Sequence, residues 1–194
     1  MHAELSSKDT EILRSTLSLF SRAGVELAPD IEPDDVEDAI DDDLISFRTN
    51  PVTTLAGCTT PDGEPLLAGT VITSGAAAGS AGDPDFTATI EHLATAAGTS
   101  AFDIAVMPDP GSEGQTGSLR VRFGDWDVAD INYDLSDPQR TFELDLISAA
   151  LPVDATAATF PTPDGRYVTL FFPSDADPAS VDALLLAIEA EFEA

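Results

Sequence analysis

The stretch that decides the fold is "SLRVRFGDWDVADINY", residues 118–133. Apolar and polar residues alternate on both sides of the dipeptide 124–125, Gly-Asp, which suits a two-residue hairpin turn. The pattern predicts an antiparallel hairpin in which Arg122 lies opposite Asp127. The side chains predicted to face the core are Leu119, Val121 and Phe123. This hairpin indicates a protein built on antiparallel sheet.

Two identical "TPDG" turns, at residues 60–63 and 162–165, predict further hairpins. Proline at the second position and glycine at the fourth suit a type I turn. The flanking strands are predicted at 52–60 and 65–74 for the first turn, and at 155–161 and 166–172 for the second. Because the strand at 166–172 is apolar on both faces, we expect it to be central in its sheet.

Apolar residues at helical spacing predict helices at both ends of the chain. The first runs from Ser6 or Ser7 to Gly24, and the last opens at Asp177 and packs on the sheet. A further helix is predicted from Asp83 to Gly98, and a strand is predicted after it at Phe102 to Met107. The apolar spacing of residues 137–151 favours a helix, although apolar residues also alternate in this segment, as they would in a strand.

An acidic segment, "DIEPDDVEDAIDDDLISF" at residues 30–47, is also predicted to be helical. Val36, Ile40 and Leu44 form a narrow apolar stripe along it. Three aspartates, Asp41 to Asp43, fall near the C-terminal end, where the helix dipole disfavours anions. We therefore expect the helix to fray at these aspartates. Their exposed carboxylates are candidates for contact with a cationic partner, and the alternative is that they only face water.

The charge of the chain narrows its function. Asp and Glu number 36 against 8 Lys and Arg, giving a net charge of −28. This disfavours binding to nucleic acid or anionic lipid, because both need a basic surface. The composition is typical of a cytoplasm of high salt, where the Debye length falls to about 3 Å and screens the self-repulsion. An acidic protein of an ordinary cytosol and a mimic of nucleic acid are the alternatives.

The sequence predicts no membrane span and no secretory signal peptide, so we expect a cytoplasmic protein. No apolar run approaches the roughly 18 residues that would cross a bilayer. The N-terminus, "MHAELSSKDTEILR", has no apolar stretch preceded by a basic segment.

Motifs for catalysis or metal binding are weak. A calcium loop beginning at Asp83 fails, because Ala88 stands where its sharp turn requires glycine. Ser80 lies in "AGSAG", which loosely resembles a nucleophile elbow. A serine nucleophile needs a base beside it, and the candidate base His92 lies on a predicted helix, off its apolar stripe. Cys58, the only cysteine, fits a packed thiol in a strand. We therefore predict no catalytic, cofactor-binding or metal-ligating residue.

The remaining candidates are for interaction with a partner. Arg120 and Arg122 form a rare cationic pair in an anionic chain, and Trp126 follows them in the same hairpin. They are candidates to hold a partner's carboxylate, and the alternative is that they offset neighbouring acids. With Asp41, Asp42 and Asp43, they complete the set of possible interaction residues.

From Asp83 onward, the predicted order is helix, three strands, helix, two strands, helix. It ends in "GRYVTLFFPSDADPASVDALLLAIEAEFEA", residues 165–194. This order resembles the type III secretion chaperone-like fold, which includes the YbjN-type domains. The resemblance covers residues 83–194 and implies a small, acidic, cytoplasmic, dimeric protein that binds other proteins without catalysis. No functional residue carries over from it.

Together these patterns predict an α+β fold, with a mainly antiparallel sheet built from hairpins and helices packed on one face. We expect residues 1–78 to form a helical pair with a hairpin, either separately or within a single domain, and residues 83–194 to form the chaperone-like domain. The expected function is non-enzymatic protein binding, with a cationic protein or a second copy of the chain as partner. A carboxylate-based enzyme, perhaps metal-dependent, and a nucleic-acid mimic are the alternatives.

Overall fold

The computed structural model describes residues 5–41, 43–73, 86–125, 128–137, 141–151, 155–163 and 165–193. The helices are α1 (Ser7–Arg22), α2 (Pro33–Asp41), α3 (Leu44–Thr49), α4 (Pro51–Gly57), α5 (Phe86–Ala96), α6 (Thr141–Ala150) and α7 (Pro178–Glu193). The strands are β1 (Thr70–Thr73), β2 (Ala101–Pro108), β3 (Thr116–Phe123), β4 (Val128–Asp134), β5 (Thr156–Pro161) and β6 (Tyr167–Phe172). They form two three-stranded antiparallel sheets, ordered β1-β6-β5 and β2-β3-β4. The predicted α+β class is confirmed.

The chain forms two compact units. Unit 1 comprises residues 1–72 and 155–194, and unit 2 comprises residues 73–154. The expected division places residues 1–78 in one part and residues 83–194 in the other. In the observed division, unit 1 is built from two separate segments of the chain, with unit 2 between them. The last hairpin and α7 belong with the N-terminal helices, because Phe160, Val168, Leu170 and Leu184 share one apolar core with them.

α1 begins and ends where the sequence indicates. Ser6 is its N-cap, and the Ser6 hydroxyl and the Asp9 carboxylate each accept a hydrogen bond from the other residue's backbone N–H, both at 3.3 Å. This reciprocal capping box satisfies two of the N–H groups that a helix start leaves unpaired. Gly24 follows the helix with a φ of +80°, a conformation that L side chains rarely adopt.

The acidic segment is broken where it was predicted to fray. Val36 and Ile40 of α2 are fully buried, so the apolar stripe anchors this helix in the core of unit 1. α2 ends at Asp41, and a separate short helix, α3, begins at Leu44.

The strand predicted at 52–60 is wrong, because residues 51–57 form the helix α4. Pro51 opens the helix at a position where its missing N–H is harmless. The Glu191 carboxylate accepts hydrogen bonds from Val52 N at 2.7 Å and from Thr53 N at 2.9 Å. The Thr53 hydroxyl donates a third, at 2.7 Å. A cap brought from α7 therefore overrides the strand preference of three β-branched residues.

Both "TPDG" turns are confirmed. Gly63 N donates to Thr60 O, and Gly165 N donates to Thr162 O, each at 2.9 Å. The first turn joins only a single β-bridge, between residues 59 and 65, and the strand predicted at 65–74 is shortened to β1. The second turn joins the full β5–β6 hairpin.

β6 is central in its sheet, as predicted, and is buried on both faces. α7, which was predicted to pack on the sheet, has α1 and α4 as its main neighbours. Its buried side chains still belong to the core that β6 shares.

In unit 2, α5 and β2 are confirmed, and residues 141–150 form the favoured helix, α6. The predicted hairpin exists between β3 and β4, but the predicted register is wrong by one residue. Arg122 lies opposite Val128 and not opposite Asp127. A shift of one residue turns every side chain of a strand to the other face. The observed register buries Ile131 and Tyr133 of β4 on the core side, which explains why it is preferred.

Candidate functional site

The β2-β3-β4 sheet has one covered side and one open side. α5 packs against β2, and α6 packs against β4. The predicted core side chains of β3, at positions 119, 121 and 123, are all buried, while Arg120 and Arg122 point away from them. Residues directly opposite in paired strands share a face. The register therefore defines the open face as Phe102, Ala105, Met107, Ser118, Arg120, Arg122, Val128, Asp130 and Asn132.

Three large apolar side chains of the open face are exposed. Phe102 is 46% exposed, Met107 is 42% exposed and Val128 is 47% exposed. Single exposed apolar residues are common, so these three are notable because they share one sheet face, with Phe102 and Val128 at the two ends of one row across the strands.

Two arginine–aspartate pairs occupy the same face. Arg120 Nε donates to Asp130 Oδ1 at 2.8 Å, and its Nη2 donates to the other carboxylate oxygen at 3.2 Å. Hydrogen bonds from Arg120 hold the pKa of Asp130 below its usual value. Arg122 Nη2 lies 3.0 Å from Asp103 Oδ2, and its guanidinium lies 5.4 Å from the centre of the Phe102 ring. The face is therefore locally neutral on a chain of net charge −28.

The free edge of β2 is shaped against strand pairing. The β2–β3 register shifts between Phe102 and Ala105, and Asp103 within this irregularity has a φ of +55°. Pro108, which has no N–H to donate, ends the strand. Bulges, charges and prolines are the devices by which natural edge strands avoid adding a further strand. Addition of a further strand at this edge is therefore disfavoured.

Unit 1 contains a cavity of about 220 Å³. Its lining comes from three parts of the chain: the end of α2 and the turn after it, the C-terminal half of α4, and the second "TPDG" turn. The described lining residues are Ala39, Asp43, Thr54, Gly57, Cys58, Thr59, Thr162, Pro163 and Arg166. Arg166 Nη2 donates to the Gly57 carbonyl at 2.8 Å, which fixes the guanidinium at the wall.

One lining residue has an unsatisfied polar group. Thr54 is 6% exposed, and its hydroxyl has no hydrogen-bond partner. Thr70 of β1 also has a buried hydroxyl without a partner, but it does not line the cavity. Unpaired buried hydroxyls are unfavourable and uncommon in proteins, so each one calls for an explanation.

The residues singled out from the sequence lie in different places. Arg120 and Arg122 lie on the open face, Asp43 lines the cavity, and Asp41 is half-buried at the end of α2. Trp126 and Asp42 lie outside the described residues, as do the nucleophile candidate Ser80 and the calcium-loop start at Asp83.

Sequence reasoning missed Phe102 and Met107 on the open face. It also missed the cavity. The open face could have been predicted from the sequence. Once the buried side of β3 is known, the pairing of β2 with β3 determines which positions of β2 lie on the opposite, exposed side. The cavity was not, because three distant segments form it.

The described part of the chain holds no group of three or more His, Cys, Asp or Glu side chains that could bind a metal ion. None of its helices is both long enough and apolar enough to cross a membrane. Comparison with protein-family models, with curated proteins and with solved structures found no match to this chain.

Proposed function

We propose that the protein is a non-enzymatic, cytoplasmic interaction module that binds a second copy of its own chain through the open face. The observation that carries the proposal is the set of three exposed apolar side chains, Phe102, Met107 and Val128, around two arginine–aspartate pairs. Binding without catalysis is also what the chaperone-like order of elements implies.

The charge on the chain favours a second copy at this face. A net charge of −28 makes most of the surface repel another copy. The open face carries two arginines paired with two aspartates, so it repels another copy less than a purely acidic surface would. In a two-fold contact the same patch meets itself, and each arginine can approach an aspartate of the second copy. The apolar side chains then supply the burial that stabilises the contact.

The test is the mass of the full-length protein, measured by light scattering over a range of salt concentration. From about 0.1 M to about 1 M salt, the Debye length falls from about 10 Å to about 3 Å. We expect the dimer fraction to rise over this range, because salt screens the repulsion between two acidic chains. A double variant, Phe102→Ser with Val128→Ser, is expected to weaken self-association by about tenfold or more.

Ile45→Ser is the matched control. Ile45 lies on α3 in unit 1 and is 82% exposed, so the substitution removes a similar apolar side chain from a different surface. It should leave the dimer unchanged. A protein that is monomeric at every salt concentration would overturn the proposal, and so would an equal loss in both variants. Capture of a cationic protein that weakens with rising salt would instead assign the face to that partner.

A further inference from the structure

We propose that the outer edge of β5 binds an extended, basic peptide segment of a partner protein, which adds to the sheet of unit 1 as a further strand. β5 is an outer strand of the β1-β6-β5 sheet, so one of its edges faces β6 and the other does not. The second of these edges is regular and uncharged, unlike the edge of β2. The inference is independent of the open face, which lies in unit 2.

The hydrogen bonds of β6 identify the backbone groups of β5 that point outward. Phe171 N donates at 2.8 Å to the carbonyl of Gly69, which directly precedes β1, so Phe171 is turned away from β5. Ala157 lies opposite Phe171 and forms with it a pair without mutual hydrogen bonds. Such pairs alternate along an antiparallel ladder. The N–H and C=O groups of Ala157 and Thr159, and the C=O of Pro161, therefore point to the outer edge.

The hairpin turn leads to the same assignment. Thr162 N donates to Arg166 O at 2.8 Å, so these two residues form a hydrogen-bonded pair. Counting back from Thr162 along the strand, Phe160 also faces β6 and Thr159 faces outward. Within the described residues, no backbone hydrogen bond joins β5 to any element other than β6. The outer edge therefore presents donors and acceptors that an added strand can use.

The edge of β5 has few of the features that oppose strand addition. Its register with β6 is continuous over Thr156–Pro161, and the strand contains no charged residue. Thr159, in the middle of the outward-pointing positions, is exposed. Pro161 lacks an outward N–H, but it stands at the end of the strand and leaves the donors of Ala157 and Thr159 in place. A regular edge without charges or bulges is the kind that accepts a further strand.

The charge of the chain selects a basic peptide as the occupant. A net charge of −28 attracts a cationic segment and repels a second copy of the chain. Ala157 and Thr159 are small and offer little apolar surface that would offset this repulsion, in contrast to Phe102 and Val128 on the open face. In strand addition the affinity comes from main-chain hydrogen bonds, so the edge itself needs no charged side chain.

The experiment measures, by fluorescence anisotropy, the binding of a labelled octapeptide of alternating lysine and valine to the full-length protein. We expect saturable binding at about 0.1 M salt and weaker binding at about 1 M salt, where charges are screened. The control is the same peptide with N-methyl groups on its two central residues. Neighbouring residues of a strand point their N–H groups to opposite edges, so this change blocks both edges and keeps every charge. The methylated peptide should bind more weakly by about tenfold or more.

Thr159→Pro and Thr159→Val are the matched variants. Proline removes an outward N–H while the hydrogen bonds between β5 and β6 stay in place, so peptide binding should weaken by about tenfold. Valine keeps the N–H and removes only the hydroxyl that is hydrogen-bonded to the Thr169 hydroxyl, so it should bind the peptide as the wild type does. The open-face double variant, Phe102→Ser with Val128→Ser, should also bind the peptide normally, which separates this site from the proposed dimer contact.

Equal binding of the plain and the N-methylated peptide would overturn the proposal, because it would show attraction by charge alone. That comparison uses the wild type, so it holds even if Thr159→Pro fails to fold. Loss of peptide binding in the open-face double variant would place the peptide in unit 2 and would contradict the assignment to β5, as would the absence of any binding. A dimer that persists in the open-face variant and is lost in Thr159→Pro would assign the edge to a second copy of the chain instead.

Discussion

The Arg48–Asp9 ion pair of unit 1 has a buried carboxylate and a half-exposed guanidinium, whereas the Arg120–Asp130 pair of unit 2 has both members on the surface. Asp9 in unit 1 is 1% exposed and accepts two hydrogen bonds of 2.8 Å from Arg48. The Arg120–Asp130 pair in unit 2 has both side chains more than half exposed. Buried charges stabilise a fold only when their partners are in place, while exposed pairs are weakened by water and salt. An arginine–aspartate ion pair therefore stabilises the fold in unit 1, and in unit 2 it neutralises charge on the surface.

The two sheets differ in the same way. β6 is buried on both faces, while β3 alternates between a buried and an open face. A sheet covered on both sides has no surface to offer, and a sheet covered on one side does. The comparison teaches that the central strand β6 of unit 1 offers no open face, whereas β3 of unit 2 presents one.

The largest effect is expected from Glu191→Ala in unit 1. It leaves the backbone N–H groups of Val52 and Thr53 without their acceptor. We expect a loss of about 3 kcal/mol in the free energy of unfolding, since each unpaired buried donor costs about 1–3 kcal/mol. Urea denaturation measures it. Glu189→Ala, on an exposed turn of the same helix, removes the same charge and should change little; equal losses would contradict the capping role.

A smaller effect, with a distinct pH dependence, is expected from Asp9→Asn. Hydrogen bonds from Arg48 and Ser6 hold the pKa of Asp9 well below its usual value. The unfolded chain therefore takes up a proton near pH 4 that the folded chain does not. The stabilisation from Asp9 is fully present above about pH 4 and is lost as the pH falls further.

Asp9→Asn should therefore be less stable than the wild type at neutral pH, and the difference should narrow between about pH 5 and about pH 2. Urea midpoints of both proteins over this range measure it. Many other carboxylates titrate there, so the difference between the two proteins is the relevant quantity. A difference that stays constant with pH would show that the charge of Asp9 does not stabilise the fold, and it would contradict this account.

The smallest effect is expected from Asp130→Asn in unit 2. Its carboxylate pairs with Arg120 in the open, so water already screens the contact. The urea midpoint should move less than in Asp9→Asn, and the shift should vanish in about 1 M salt. A shift as large as that of Asp9→Asn, or one that persists in salt, would remove the contrast between the two ion pairs.

Local signals predicted the helix ends well. Ser6 begins α1 and Asp177 begins α7, where its carboxylate accepts from Ser180 N at 3.1 Å. Each of these caps involves residues three apart, so the sequence itself contains the whole interaction. The two "TPDG" turns were predictable for the same reason.

The errors share a different cause, since each depends on a distant part of the chain. α4 was mistaken for a strand because its cap comes from Glu191, more than a hundred residues away. The hairpin register was wrong because a two-residue turn was preferred over the apolar positions of Ile131 and Tyr133, which match the core side of β3. The cavity required Asp43, Thr54 and Arg166 to meet, and no local pattern contains that information.

The two-segment composition of unit 1 has a consequence for synthesis on the ribosome. Unit 2 is continuous in the chain, so all of its residues emerge before unit 1 can be completed. The N-terminal helices then wait for β5, β6 and α7, which supply part of their core. At about 5–20 residues per second, this delay is on the order of ten seconds. During that interval the apolar side chains of the N-terminal helices, such as Val36 and Leu55, lack the part of the core that β5, β6 and α7 supply, and the negative charge of the chain opposes association between nascent chains.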